Sequence, residues 1–335
     1  MRLISRILFV AVILVVVALA SAWATLALWY RLPAPQEIRA IIAGIFGLLG
    51  AITLVTLFTR NRFRALLVFA LAFGGVVAWW STILPPAEGD WKPSVARQVT
   101  GVREGDIVTL TNVRDFAWTN GTEATENWVT RSYDLSKIRT ADLFMSYWAG
   151  PKIAHVMMSF GFEDDQYVAW SIEVRSLANG KFSPLADLFK ENPLVIVAAE
   201  ERDVVGVRSN MRGEDVQIYR LRASPEAARA LFLEYMEDAN ALAASPQFYN
   251  SLTTNCTTTV FKLIRAVGDK IPFDWRLIVN GYLPDYAYDR GALDTRLPLS
   301  ELREKAHIDQ RAKAAGLTDK FSSAIRVGVP SPLEP

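Results

Sequence analysis

The chain has 335 residues, of which 51% are hydrophobic, with a formal net charge of +1, one cysteine and two histidines. A near-neutral balance without a basic, aromatic-interleaved stretch argues against a nucleic-acid partner. One cysteine excludes an internal disulfide, and one cysteine beside two histidines is too few for a structural zinc site, so no metal or cofactor is expected.

The hydrophobic residues crowd the N-terminal quarter, in Ile7–Tyr30, Ile41–Phe58 and Ala65–Leu84. The first run carries no charge and exceeds the ~20 residues that cross a bilayer. None of the three shows a polar face at helical spacing, so all three are expected to be membrane helices. The stretch LASAWA offers the small residues of a signal-peptide cleavage site, but the apolar run continues past it, which favours an uncleaved span. Arg2 and Arg6 precede the first span, and Arg60, Arg62 and Arg64 fill the loop between the second and third. The positive-inside rule then puts the N-terminus and that loop in the cytoplasm and everything after the third span on the far side.

We divide the chain into a membrane domain (1–84), a Pro-containing polar linker (85–100), a soluble domain (101–310) and a loose tail (311–335). In the soluble part, strand-like alternation runs through Gly105–Val113, Ile153–Gly161, Tyr167–Arg175, Leu194–Arg208 and Glu214–Leu221. Glu163 to Gln166 reads as a hairpin turn, and the polar, aromatic stretch from Phe116 to Ile138 as extended or looped. Ser224-Pro225-Glu226 opens a helix. Val260, Ile264 and Val267 recur at helical spacing with Gly268 as a stop, which places Cys256 in the first turn of a further helix with Thr254 or Asn255 as its N-cap. Ser300–Gly316 reads as one charged surface helix. The expected class is α+β, an antiparallel sheet with helices following three membrane spans.

The lone cysteine lies in SLTTNCTTTVF (Ser251–Phe261). A helix N-terminus stabilises a thiolate, and its N–H groups can hold an oxyanion when a carbonyl is attacked. Such a thiol needs a base, and the chain offers His155 and His307. His307 sits in KAHIDQ, on the charged helix, where a solvated residue is the simple reading. His155 alternates with Ile153, Met157 and Ser159 on a strand whose partner returns past Ile172, Glu173 and Val174. A two-residue turn pairs His155 with Val174; a shift of one residue puts Glu173 opposite it, as an orienting carboxylate. Each residue also has a plain structural reading: an inert buried thiol, a hydrogen-bonded strand histidine, and a salt-bridged scaffold in Glu201, Arg202, Asp203, Arg208, Arg212 and Glu214.

Three segments carry a resemblance: HVMMSFGF…VAWSIEVR, AAEERDVVGVRSNMRGEDVQIYRL and FYNSLTTNCTTTV. They resemble the bacterial periplasmic DUF4105 domain associated with Lnb-type lipoprotein N-acyltransferases, over about Ala154 to Val267. The order of histidine strand and then Asn-Cys helix is also similar to circularly permuted NlpC/P60 papain-like enzymes. The resemblance implies a papain-like domain on the periplasmic side of the bacterial inner membrane. It implies Cys256 as nucleophile, His155 as general base and Glu173 as third member, with Tyr249, Asn250, Thr254 and Asn255 forming the wall of the substrate site.

Three readings follow. The first is a membrane-anchored thiol acyltransferase that moves an acyl chain from phospholipid through a Cys256 thioester to an amine, most simply the N-terminus of a lipoprotein. The second is a papain-like peptidase or amidase acting on cell-wall peptides with the same residues. The third is a non-catalytic, membrane-anchored interaction module.

Overall fold

A computed structural model of the chain describes residues 2–180, 183–266, 272 and 274–332; the expected stop at Gly268 lies outside them. The chain forms two compact units, Met1–Pro86 with Ser183–Glu191, and Ala87–Phe182 with Asn192–Pro335.

The first unit contains α1 (Arg2–Arg31), α2 (Gln36–Thr56) and α3 (Arg62–Ser81). All three are long and apolar enough to cross a membrane, and between 6% and 22% of each span is buried within the protein. Exposed leucine, valine and phenylalanine along such helices suit a hydrocarbon surround. Small residues let α1 and α2 approach closely: a Cβ on Gly50 would collide with the Ser21 side chain. The short α4 (Pro184–Asp187) and the residues after it belong to this unit. Here Lys190 Nζ donates to the Trp80 and Ile83 carbonyls at 2.8 and 3.1 Å, a cation at the C-terminal, negative end of α3.

The second unit is a mixed α+β domain. Its strands are β1 (Thr100–Glu104), β2 (Ile107–Arg114), β3 (Ala117–Trp118), β4 (Ala124–Thr125), β5 (Trp128–Asp134), β6 (Ile138–Tyr147), β7 (Ala154–Phe162), β8 (Tyr167–Val174), β9 (Leu194–Ala199) and β10 (Asp215–Arg220). The main sheet runs β1-β2-β9-β8-β7-β6-β10, with β5 also on β2. Pairing is antiparallel except for β2 with β9.

Alternation sends successive residues of the central strands to opposite cores. Val156, Met158, Phe160, Trp170, Ile172 and Ile196 face α6 (Pro225–Ala244) and α7 (Cys256–Ala266), whose Phe232, Tyr235, Cys256 and Val260 complete that core. Phe144, Met157, Ala169, Val195 and Val197 face α5 (Glu201–Val204), a π-helical turn at Val207–Met211, and a C-terminal group of helices. The remaining helices are α8 (Leu283–Asp289), α9 (Leu299–Ala306), α10 (Asp309–Ala315) and α11 (Phe321–Ile325).

Several segments differ from expectation. The segment read as linker is partly structural, since Val95 and Val99 are buried. Leu194–Arg208 is a strand only to Ala199, because the acidic side chains after it turn inward to bind arginines. The stretch 300–316 is two helices, interrupted where Ile308 is buried and its N–H reaches the Val216 carbonyl. The stretch read as a loose tail is anchored: Phe321 and Ile325 are fully buried, and the Arg326 guanidinium lies between Asp142 and Glu201, 2.8 and 2.6 Å away. Burial of two carboxylates requires such a partner, and sequence spacing cannot reveal one so far along the chain.

Candidate active site

β7 and β8 are paired only as far as Met157–Ser171. Beyond that point β7 continues to Ala154 against β6, and β8 continues to Val174 against β9. The sheet is therefore open between residues 154–156 and 172–174, and α7 packs over β7 and β8 with its first residue, Cys256, at this opening. By the pleat, His155 belongs with Met157 to one face of the sheet, whereas Cys256 belongs to the core on the other. They approach one another because the strands separate there: the His155 side chain and the Val156 backbone N–H are the groups that act on the thiol and favour its thiolate.

The start of α7 is fixed by its own sequence. Asn255 Oδ1 accepts from the Thr257 and Thr258 N–H groups at 2.9 and 3.0 Å, so Asn255 is the N-cap. Its Nδ2 donates to the Ser251 carbonyl at 2.8 Å. Asn250 Oδ1 accepts from Leu252 and Thr253 N–H at 3.0 Å each, and Asn250 and Thr254 exchange backbone bonds. Tyr249 is buried in the core beneath, its N–H bonded to the Asn192 carbonyl. The side chains of Asn250 and Asn255, with the Thr254 backbone, close the loop that delivers Cys256. Short polar side chains bond readily to nearby backbone, which is why an Asn/Thr-rich loop precedes the cysteine.

The β7–β8 register settles the question left open by sequence. Met157 opposite Ser171 puts His155 level with Glu173. His155 Nε2 is 2.7 Å from Ser171 Oγ and 3.2 Å from Glu173 Oε1, and the Ser171 hydroxyl donates to Glu173 at 2.6 Å. Arg208 Nη2 donates to the same Glu173 oxygen at 3.0 Å and its Nη1 lies 3.4 Å from Glu214, which also accepts from Ser146 Oγ. His307, by contrast, is exposed and bonded to Asp215 at 2.6 Å, apart from this group.

These contacts set the protonation of the site. Burial works against an imidazolium at His155, but the Glu173 charge outweighs it and pushes the histidine up to about 9. Burial likewise works against the Glu173 carboxylate, yet His155 and Arg208 hold it well below the usual carboxylate range. At Cys256 burial raises the thiol, and the His155 hydrogen bond, its charge and the Val156 N–H together bring it below its ordinary value. Both shifts act in the same sense, favouring a thiolate beside an imidazolium over the neutral pair.

Three contributors escaped sequence reading. Ser171 bridges His155 and Glu173. Asn280 accepts from Ala154 N–H at 2.9 Å, and donates to the Ala154 carbonyl at 2.7 Å and to Thr257 Oγ1 at 2.8 Å. It thus ties the first residue of β7 to the first turn of α7. Gly281 sits where a Cβ would collide with the Pro151 carbonyl, and Tyr147 Oη donates to its carbonyl at 2.9 Å. The signal available in sequence was an Asn-Gly pair, which reads as an ordinary turn. Of the scaffold carboxylates, Asp203 and Glu201 are structural: Asp203 accepts from Arg114, the Phe116 N–H and the Trp118 indole.

Residues 124–281 match the family model of the Lnb N-terminal periplasmic domain. The matched segment holds His155, Ser171, Glu173, Arg208, Cys256 and Asn280, and ends before α8 and the C-terminal helices. No curated protein and no solved structure gave a match.

Proposed function

We propose that the protein is a membrane-anchored, cysteine-dependent acyltransferase whose second unit works on the periplasmic side of the bacterial inner membrane. The observation that carries this reading is the thiol of Cys256 at the head of α7, whose thiolate is favoured by the charge of an imidazole that is itself paired with Glu173. Three apolar helices in the same chain and the Lnb-type periplasmic domain match support lipid as the acyl source and a lipoprotein amine as the acceptor. Histidine strand before cysteine helix is also the order of the permuted NlpC/P60 papain-like enzymes. The positive-inside rule supports a cytoplasmic N-terminus.

Because Nε2 of His155 is engaged by Ser171 and Glu173, Nδ1 is the nitrogen left for the thiol. In the first half-reaction the Cys256 sulfur attacks a phospholipid ester carbonyl. The C–S bond forms, the C–O bond to glycerol breaks, and the imidazolium gives its proton to the leaving alkoxide, releasing a lyso-phospholipid. In the second, an amine attacks the thioester. The C–N bond forms, the C–S bond breaks, and His155 takes the amine proton, restoring the ion pair. The Cys256 N–H at the helix start stabilises the oxyanion in both steps.

Intact-protein mass spectrometry tests the reading. The full chain incubated with phospholipid should acquire a hydroxylamine-sensitive acyl mass that Cys256→Ala lacks. No adduct, together with cleavage of cell-wall peptides by wild type but not Cys256→Ala, would replace acyl transfer with peptide hydrolysis.

A further inference from the structure

The second unit contains a cavity of about 340 Å³ beside the candidate site, a volume at the lower end of ordinary ligand pockets. Two elements lead into it from the thiol. On α7, Val260 and Ile264 follow Cys256 by four and eight residues and extend its face of the helix, and both line the cavity. On β7, Met158 follows Val156 on the same side of the strand, and it lines the cavity, while Val156 and Cys256 belong to the same core. A helical rise of ~1.5 Å per residue puts the near wall roughly 6 Å from Cys256.

The lining decides what fits. Ala141, Leu143, Leu231 and Leu283 add to a lining whose side chains are apolar apart from Arg222, Tyr286 and Arg290. The charged groups among the lining residues are Arg222 and Arg290, both exposed at the rim, and the hydroxyl of Tyr286 is already bonded to the Pro272 carbonyl at 3.1 Å. A peptide in such a space would leave its amide groups without partners at a cost of several kcal/mol each, whereas a hydrocarbon needs none. We infer that this cavity binds the acyl chain whose carbonyl carbon is joined to Cys256, so that the chain lies along α7 between β6, β7, α6 and α8. The inference deepens the acyltransferase reading and rests on it for the bond to Cys256.

The test separates the two. Full-length protein in lipid nanodiscs, wild type and Cys256→Ala, is photolabelled with a diazirine-bearing palmitic acid, and the labelled peptides are mapped. Labelling of α7 and of the 221–231 segment is expected in both proteins. It should fall at least fivefold in Ile264→Trp and in Ala227→Trp, the latter at an exposed rim position that tolerates bulk without disturbing the core. Labelling confined to the three apolar helices, or unchanged by both tryptophans in folded protein, overturns the acyl site even if Cys256 acquires an acyl adduct. Cavity labelling that the tryptophans block, with no adduct on wild-type Cys256, keeps the hydrocarbon site and removes its link to acyl transfer.

Discussion

Glu173 Oε1 lies 3.2 Å from His155 Nε2 and 3.0 Å from Arg208 Nη2, so one carboxylate oxygen serves both an imidazole and a guanidinium. Arg208 orients the carboxylate while Glu173 charges the histidine. Glu173→Gln keeps the shape and removes the charge, and the Arg208 cation then faces His155 with no anion between. The acylation rate should fall roughly 10²–10⁴-fold, the range attributed to general acid–base groups, with lipid binding little changed. Stopped-time mass spectrometry of the acyl adduct, at saturating and limiting phospholipid, separates the two effects.

The thiol should titrate below an ordinary cysteine because the His155 hydrogen bond and charge outweigh its burial. Removing the imidazole leaves burial in control, so His155→Ala should move the pH midpoint of iodoacetamide alkylation upward, past that of a free thiol. Glu173→Gln should move it in the same direction by less. A midpoint that stays in place in His155→Ala would show that the Val156 N–H and the helix start hold the thiolate without the histidine.

His155 also ties stability to pH. Its folded pKa, about 9, exceeds the ordinary 6.5, so the folded state holds the proton more tightly than the unfolded chain does. That contribution is complete below the unfolded value and is lost as pH rises through about 9. The melting temperature of the wild-type chain should therefore decline across this interval more steeply than that of Glu173→Gln, in which the imidazolium has lost its partner. Thermal melts in detergent at constant ionic strength measure both.

Asn280 acts through placement. Three of its bonds run to Ala154 and Thr257, on the two elements that carry His155 and Cys256. Asn280→Ala should cost roughly 1–3 kcal/mol by stranding buried partners. It should also lower the acylation rate at saturating lipid, because α7 is no longer tied to β7. Gly281→Ala should be worse for folding, since the carbonyl it would strike belongs to backbone that cannot turn aside. Denaturant melts read the first effect and adduct kinetics the second.

The membrane helices were legible because hydropathy over twenty residues is a local signal. So were the β7–β8 hairpin and the head of α7, which are set by alternation and by an Asn cap within a few positions of the cysteine. Sequence named Cys256, His155 and Glu173 as candidates but left the register open between Val174 and Glu173, since one residue in the turn shifts every pair. β6 was missed although its interior is apolar: Asp142, Ser146 and their buried partners break the pattern a strand would show. Asp142 is buried because Arg220 and Arg326 reach it, and Ser146 because Glu214 does. Contacts made across 78 and 184 residues leave no trace in local spacing.

Arg326 shows how much depends on one such contact. Its guanidinium bonds Asp142 Oδ2 and both oxygens of Glu201, whose Oε1 also accepts from Ser159. Asp142 sits on β6 and Ser159 on β7, the pair of strands that leads to His155. Arg326→Ala leaves Glu201 buried without its cation and Asp142 with Arg220 alone, a change of roughly 3–5 kcal/mol. Arg326→Met combined with Asp142→Asn and Glu201→Gln removes three of the four charges, leaving Arg220, and should recover part of that loss. If the single variant melts like wild type, the C-terminal helices are not needed to hold β6 and β7. If the triple variant regains stability and acylation together, the network serves the fold and the chemistry belongs to the opening between β7 and β8.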